Sequence, residues 1–339
     1  MANNSFISVV TIGLLLISFI NISEVESIGV SYGRVGNNLP PANEVIGLYQ
    51  NFGINGIRLY DTNHDVLQAL RGTNIAVIID VLEPDVTAIA KSDLAAAEWV
   101  RDNILPYYQD VNFRYIAVGN ELIPGSHPYD ISPAMNKLQA ALQQVGLDGK
   151  IKISTSVSTG VLGNSWPPSK SFFSPSITSN LQPIVSFLSQ HGSPLLVNVY
   201  PYFSVIESKG KITLDYALFT ASDTVFSDNG LDYQNLFDAI VDALYTSLEN
   251  MEGGRSVNLV VSETGWPSDG GGVATWQNAQ TYISHLIDHV KQGTPKKPGE
   301  IETYIFSLFD ENLKNPPGTE NHYGLFTPTK QPKYSLKIN

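Results

Sequence analysis

Hydrophobic positions along the chain follow two alternating patterns. Short apolar runs fall at 28–33, 56–61, 76–82, 115–121, 151–158, 195–203, 257–263 and 301–310. Between them, at 42–52, 64–71, 85–104, 132–145, 177–190, 232–250 and 274–292, apolar residues recur at spacings of three and four. That is the period of a helix burying one face, and Asn43-Glu44, Asp93-Leu94 and Ser132-Pro133 supply helix starts. Strands that alternate with helices imply a parallel sheet, and eight repeats predict closure into a single-domain (β/α)8 TIM barrel. An open doubly wound sheet is the alternative. No Gly-x-Gly-x-x-Gly follows the first strand, which argues against its dinucleotide-binding form. Residues 204–230 break the rhythm. Lys209-Gly210-Lys211 and Asp228-Asn229-Gly230 predict a hairpin or small excursion there, after the sixth strand.

The first apolar stretch, residues 6–20, carries no charge and is short for a membrane span. Val25 and Ser27 fit small-residue cleavage positions, so residues 1–27 read as a secretory signal peptide and 28–339 as the mature domain. A membrane anchor is the weaker alternative. The sequons at Asn3 and Asn21 lie in that leader, so the mature chain is expected to carry no N-glycan. Lys333–Asn339 has no hydrophobic tail for a lipid anchor. These readings give a secreted, extracellular protein, with a vacuolar address left open.

Composition narrows the chemistry. There is no cysteine, which excludes thiol catalysis and thiolate metal sites. The net charge is −12 and no basic run occurs, so nucleic acid is not a partner and neutral polymers are better candidates. His285 and His289 are spaced for a shared metal, but the expected Glu is missing and the segment reads as a peripheral helix, so no metal is expected.

Two glutamates carry the clearest signal. Glu121 ends the run Tyr115-Ile116-Ala117-Val118-Gly119-Asn120, and Glu263 ends Val257–Ser262. In a barrel, strand ends of this kind open into the active site. Two carboxylates facing one cleft are the equipment for glycosidic bond cleavage, one as acid/base and one as nucleophile or base. The same rim reading places Tyr60, Asn120, Tyr200, Phe203, Trp266 and Glu311 around them, the aromatic rings offering flat faces to sugars. Lys314 follows Glu311 by three residues and is expected to approach Glu263, favouring its charged form. Neither a cofactor nor a metal is needed if two carboxylates do both jobs.

Several segments together resemble a known family: Ile28–Gly33, Arg58-Leu59-Tyr60-Asp61, Ala117–Glu121, Val260–Ser268, Phe309–Lys314 and Glu320–Phe326. The Ser-Glu-Thr-Gly-Trp-Pro-Ser block at 262–268 is the most specific of them. The chain resembles plant endo-1,3-β-glucanases of glycoside hydrolase family 17, the pathogenesis-related type, from Ile28 to about Leu336. That resemblance implies a retaining mechanism on 1,3-β-glucan, whether callose or fungal wall. It implies Glu121 as proton donor and Glu263 as nucleophile. Tyr60, Asn120, Glu311, Lys314 and Glu320 match supporting cleft residues, Tyr200 and Phe203 match subsite residues, and Phe309 belongs to a matching segment. The alternatives are a 1,3-1,4-β-glucanase on the same fold and a glucan-binding wall protein that has lost activity. A monomer is expected.

Overall fold

The computed structural model describes residues 28–125, 127–335 and 337–338. The leader and its two sequons lie outside the described residues. Eight parallel strands close into a barrel: β1 (Ile28–Tyr32), β2 (Gly56–Leu59), β3 (Ala76–Val81), β4 (Asn112–Asn120), β5 (Lys152–Ser158), β6 (Leu195–Asn198), β7 (Leu259–Thr264) and β8 (Thr303–Ile305), in sequence order around the ring. Each is the core of an apolar run. A strand covered on both faces needs such a run, because its outer side packs under helices and its inner side fills the barrel.

The helices are α1 (Ala42–Asn51), α2 (His64–Ala69), α3 (Glu83–Lys91), α4 (Asp93–Asn103), α5 (Ile131–Gln144), α6 (Thr178–His191), α7 (Pro201–Glu207), α8 (Leu214–Ala217), α9 (Leu236–Glu249) and α10 (Trp276–His289). The long segment 85–104 divides at Ser92, which takes up extended backbone and accepts a hydrogen bond from Ala95 N at 3.2 Å. That cap starts α4 where Asp93-Leu94 had marked a start. Among the described residues no helix is long and apolar enough to cross a membrane.

Three expectations change. The sixth run stops at Asn198, because Pro201 sits at the first position of α7 and turns 199–203 into a helix entrance. The eighth strand is only Thr303–Ile305 of the expected 301–310. A second excursion was not expected: after β5, a small hairpin pairs Leu162–Asn164 with Phe172–Phe173. The expected excursion after β6 contains α7, α8 and a hairpin of Phe226–Asp228 with Leu231–Tyr233. Its turn, Asn229-Gly230, has φ of 51° and 80°, the left-handed pair that a two-residue hairpin favours.

Inside the barrel, alternation sorts the side chains. Ile78, Tyr115, Ala117, Leu196, Val260 and Tyr304 form an apolar plug. Tyr304 fills space left by glycine: a Cβ on Gly29 would meet its ring at 2.4 Å. Two residues further along the same strands, the inward positions become polar, with Asp80 after Ile78, Asn198 after Leu196 and Ser262 after Val260. The plug therefore ends in a buried polar layer beneath the strand ends, and the functional side chains stand on it.

Candidate active site

A cavity of about 670 Å³ opens at the C-terminal ends of the strands. Its walls include both glutamates, Tyr60, Asn120, Tyr200, Phe203, Glu311, Lys314 and Glu320. The structure thus brings together nine of the eleven residues singled out from the sequence. Trp266 and Phe309 are not among them, and both are corrections. Trp266 is 1% exposed, donates its indole N–H to Val273 O at 2.9 Å and packs between Tyr202 and Tyr282. Phe309 is fully buried beside Tyr32. A large ring just past a strand end can turn down into the packing as readily as out to the rim, and these two do.

Arg58 anchors the polar layer. It is fully buried on β2 and reaches across the barrel. Nη2 donates to Asp80 Oδ2 at 2.8 Å and Asn120 Oδ1 at 2.9 Å, while Nη1 donates to Glu263 Oε1 at 2.9 Å and Asn198 Oδ1 at 3.1 Å. Burial alone would lower the guanidinium's pKa, but the negative charges of Asp80 and Glu263 and the hydrogen bond to Asp80 more than offset it and the net shift is upward. Asp80 moves up, since its burial outweighs the pull of Arg58. The expectation that Lys314 serves Glu263 is therefore corrected: Arg58 is the cation on that carboxylate. Lys314 bridges Glu311 and Glu320, at 3.3 Å from each, with its ammonium 4.3 Å from the centre of the Phe306 ring.

Glu263, at the end of β7, is held from three directions. Besides Arg58, Tyr60 donates to Oε1 at 2.8 Å and Tyr200 donates to Oε2 at 2.7 Å. Both phenols have pKa values pushed far up, by burial first and then by the charge of Glu263, so they stay donors. The carboxylate is fixed in position with its charge-accepting role satisfied.

Glu121 is set differently. Between Ala117 and Asn120 the pairing of β4 with β5 slips in a bulge. Gly119 turns there with φ of 77°, where a Cβ would lie 2.5 Å from the Leu122 side chain. Glu121 itself is left-handed, φ 56°, and its N–H is returned to Ser156 O at 2.9 Å. The turn lifts the carboxyl into the cleft. Asn198 donates to Oε1 at 2.7 Å. The Asn198 amide is oriented by Ser156 and Ser262, whose hydroxyls donate to its Oδ1 at 3.0 and 2.9 Å. Desolvation by the cleft walls raises the pKa of Glu121, the negative Glu263 adds to the rise, and the Asn198 donor works against both.

Arg58, Asn198 and Phe306 were not singled out as candidates. Arg58 had a legible signal, a cation inside an otherwise apolar strand. Asn198 had a weaker one, a lone amide ending the run Leu195–Val197. Phe306 reads as an ordinary core residue in sequence, yet it lines the cleft under Tyr60 and Tyr200.

The fold and the paired carboxylates define a class: a (β/α)8 barrel with the acid-base equipment of a glycoside hydrolase. The profile described as glycosyl hydrolases family 17 matches residues 28–338, and the chain belongs to that family. It is similar to a glucan endo-1,3-beta-glucosidase of Vitis vinifera, 50% identical over 341 residues, covering 99% of this chain and 98% of the relative. A basic vacuolar isoform, GLB, of the same enzyme from Nicotiana tabacum is 49% identical, covering 98% of this chain and 90% of the relative. Among solved structures, CJP38, a beta-1,3-glucanase and allergen of Cryptomeria japonica pollen, superposes with a TM-score of 0.90 at 45% identity, covering 93% of this chain and 99% of that one. A structure described as one of two plant beta-glucan endohydrolases with distinct substrate specificities gives 0.88 at 45% identity, covering 91% and 99%.

Proposed function

We propose that this chain is an endo-hydrolase of 1,3-β-glucosidic bonds that works by retaining double displacement. The different settings of the two glutamates carry the reading. Glu121, with its raised pKa and a cleft-facing carboxyl, suits the acid that protonates the glycosidic oxygen. Glu263, held by Arg58, Tyr60 and Tyr200, suits the nucleophile.

In the first step a Glu263 oxygen bonds to the anomeric carbon as the C–O bond to the leaving sugar breaks, and the Glu121 proton goes to the leaving oxygen. In the second, Glu121 takes a proton from water, whose oxygen replaces Glu263 on the same carbon. Configuration is retained and both carboxyls return to their starting states. Tyr60 and Tyr200 hold the attacking group throughout. Asn120, Glu311, Lys314 and Glu320 support the cleft walls, and Phe203 and Phe306 give apolar area for sugar faces.

The substrate is a 1,3-β-glucan, callose or fungal wall glucan. The grape and tobacco relatives named for that linkage support this, as does a cleft open enough for an internal stretch of polymer. Residues 1–27 direct secretion to the apoplast or, as in the tobacco vacuolar relative, the vacuole. One barrel contains every group named, which supports action as a monomer. The deciding experiment compares reducing-end release from a linear 1,3-β-glucan with release from a mixed 1,3-1,4-β-glucan. Fast release from the first and little from the second is expected. The reverse preference would overturn the linkage assignment.

A further inference from the structure

Two excursions from the barrel form one wall at the cleft end. The first leaves β5 through Ser158 and Thr159, which themselves line the cleft. The second is the hairpin after β6. They are locked to each other: the Ser169 N–H donates to Asp228 Oδ2 at 2.7 Å and the Ser169 hydroxyl to Oδ1 at 2.8 Å. The loop between the strands of the first hairpin is closed by Asn164, whose amide donates to Trp166 O at 3.0 Å and Lys170 O at 2.9 Å. Asn250 of the α9 cap ties the same segment down by donating to Ser171 O at 3.1 Å.

An aromatic stack runs through this wall. Tyr233 is buried at its base, Phe226 stacks on it at 4.8 Å and 11°, and Trp166 packs against Phe226 at 4.1 Å with its ring tilted by 53°. Trp166 is nonetheless 55% exposed, and Phe172 on the partner strand of its hairpin is 44% exposed. A rigidly supported indole with an open surface loses little freedom when a ligand stacks on it. Pyranose rings present flat C–H faces without charge. Of the two carboxylates on this hairpin, Asp228 is already taken by Ser169 and Asp232 accepts from the Ser227 hydroxyl.

We propose that Trp166, assisted by Phe172, is a sugar-stacking platform that holds the glucan chain where it runs on past the cleft. The proposal rests on the reading of the cleft as a 1,3-β-glucan site. Continuity of the wall with the cleft at Ser158 and Thr159 favours this occupant over a protein partner. The platform makes the enzyme prefer long chains without touching the reacting bond.

The test measures kcat and KM for wild type, Trp166→Ala, Trp166→Phe and Phe172→Ala on laminari-oligosaccharides from the tetramer to the soluble polymer. Thermal midpoints are measured alongside. Trp166→Ala should lose roughly three- to tenfold in kcat/KM on the polymer, mainly through KM. Its deficit should shrink as the oligosaccharide shortens. Trp166→Phe should keep most of the wild-type profile, and Phe172→Ala should show a smaller loss of the same kind. An equal loss at every length with a lowered midpoint would mean that Trp166 only packs the wall, and the platform falls. Unchanged kinetics at every length would also overturn it and leave the patch to a protein contact. If wild type itself releases no reducing ends from any 1,3-β-glucan, the reading of the cleft falls and the platform with it. Wild-type cleavage with a flat variant profile removes the platform alone.

Discussion

Both ends of this barrel contain an arginine clamped to carboxyl and phenol groups, yet the two clusters are built to opposite purposes. At the end where the strands begin, Arg114 donates to Glu302 Oε2 at 2.8 and 3.1 Å, and Tyr115 and Tyr304 donate to the same carboxylate at 2.9 and 3.0 Å. One cation meets one anion there, Arg114 keeps a third of its side chain in water, and the cluster closes on itself. At the cleft end, Arg58 has no exposure and faces two carboxylates, Asp80 and Glu263, with Glu121 one amide away. Negative groups outnumber the positive one in a desolvated layer, and burial raises the pKa of two of those carboxyls, Asp80 and Glu121. The floor settles its charges; the cleft holds an excess of acid that a substrate can use.

The sharpest way to separate the ends is to remove one carboxylate from each. Glu263→Ala should cut turnover by about ten-thousandfold or more, as loss of a nucleophile does, with azide restoring release of an inverted product. Failure of azide to rescue would point away from Glu263 as nucleophile. Glu121→Ala should lose roughly a hundred- to ten-thousandfold on glucan but far less on substrates with good leaving groups, which need no protonation. Equal losses on both substrate types would contradict the acid assignment. Arg58→Met strands Asp80 without its cation, and urea unfolding should show a loss of roughly 3–5 kcal/mol with kcat falling as well.

The pH profile probes the cleft more gently. As the proposed acid, Glu121 has to hold its proton, so the alkaline limb is expected to follow its raised pKa. The Asn198 donor favours the ionised form; removing it in Asn198→Ala raises the pKa further and should carry the alkaline limb of kcat/KM to higher pH. A limb moving to lower pH would show that Asn198 does not act through Glu121. Raised pKa values also set a stability trend: the folded chain binds that proton more tightly than the unfolded one, so this contribution is present at acid pH and lost as pH rises past the folded pKa. The smallest effect belongs to the floor. Glu302→Gln should cost about 1 kcal/mol in unfolding and leave kcat unchanged. A large fall in kcat would mean that the two ends are coupled.

What could be read in advance follows the same division. A strand covered on both sides must be apolar, so all eight announced themselves, and a glutamate ending such a run stood out. The helix start at Asp93 was visible through the local capping chemistry of Ser92, whereas α1 begins at Ala42 behind Pro41 with no side-chain cap from Asn43. The partner of Glu263 was not, because Arg58 reaches it across the barrel and no local pattern encodes that span. Lys314, close to Glu311 in sequence, was the natural but mistaken choice. Trp266 and Phe309 misled for a related reason: sequence shows that a ring follows a strand end, but not whether the next turn points it out or in. The hairpin carrying Trp166 was missed although Pro167-Pro168 marked a break, since two strands of three and two residues leave almost no periodic signal.

The left-handed backbone at Glu121 has a consequence for how such a chain changes over generations. A side chain other than glycine, asparagine or aspartate sits there at a cost of roughly 1–2 kcal/mol. Selection for folding alone and selection for turnover alone therefore push position 121 in opposite directions. In a library randomised at that codon, survivors of heating should become enriched in glycine and asparagine, while survivors of growth on glucan should keep glutamate. A duplicated copy relieved of the need to cut sugar would be expected to drift first at the residue its ancestor could least do without.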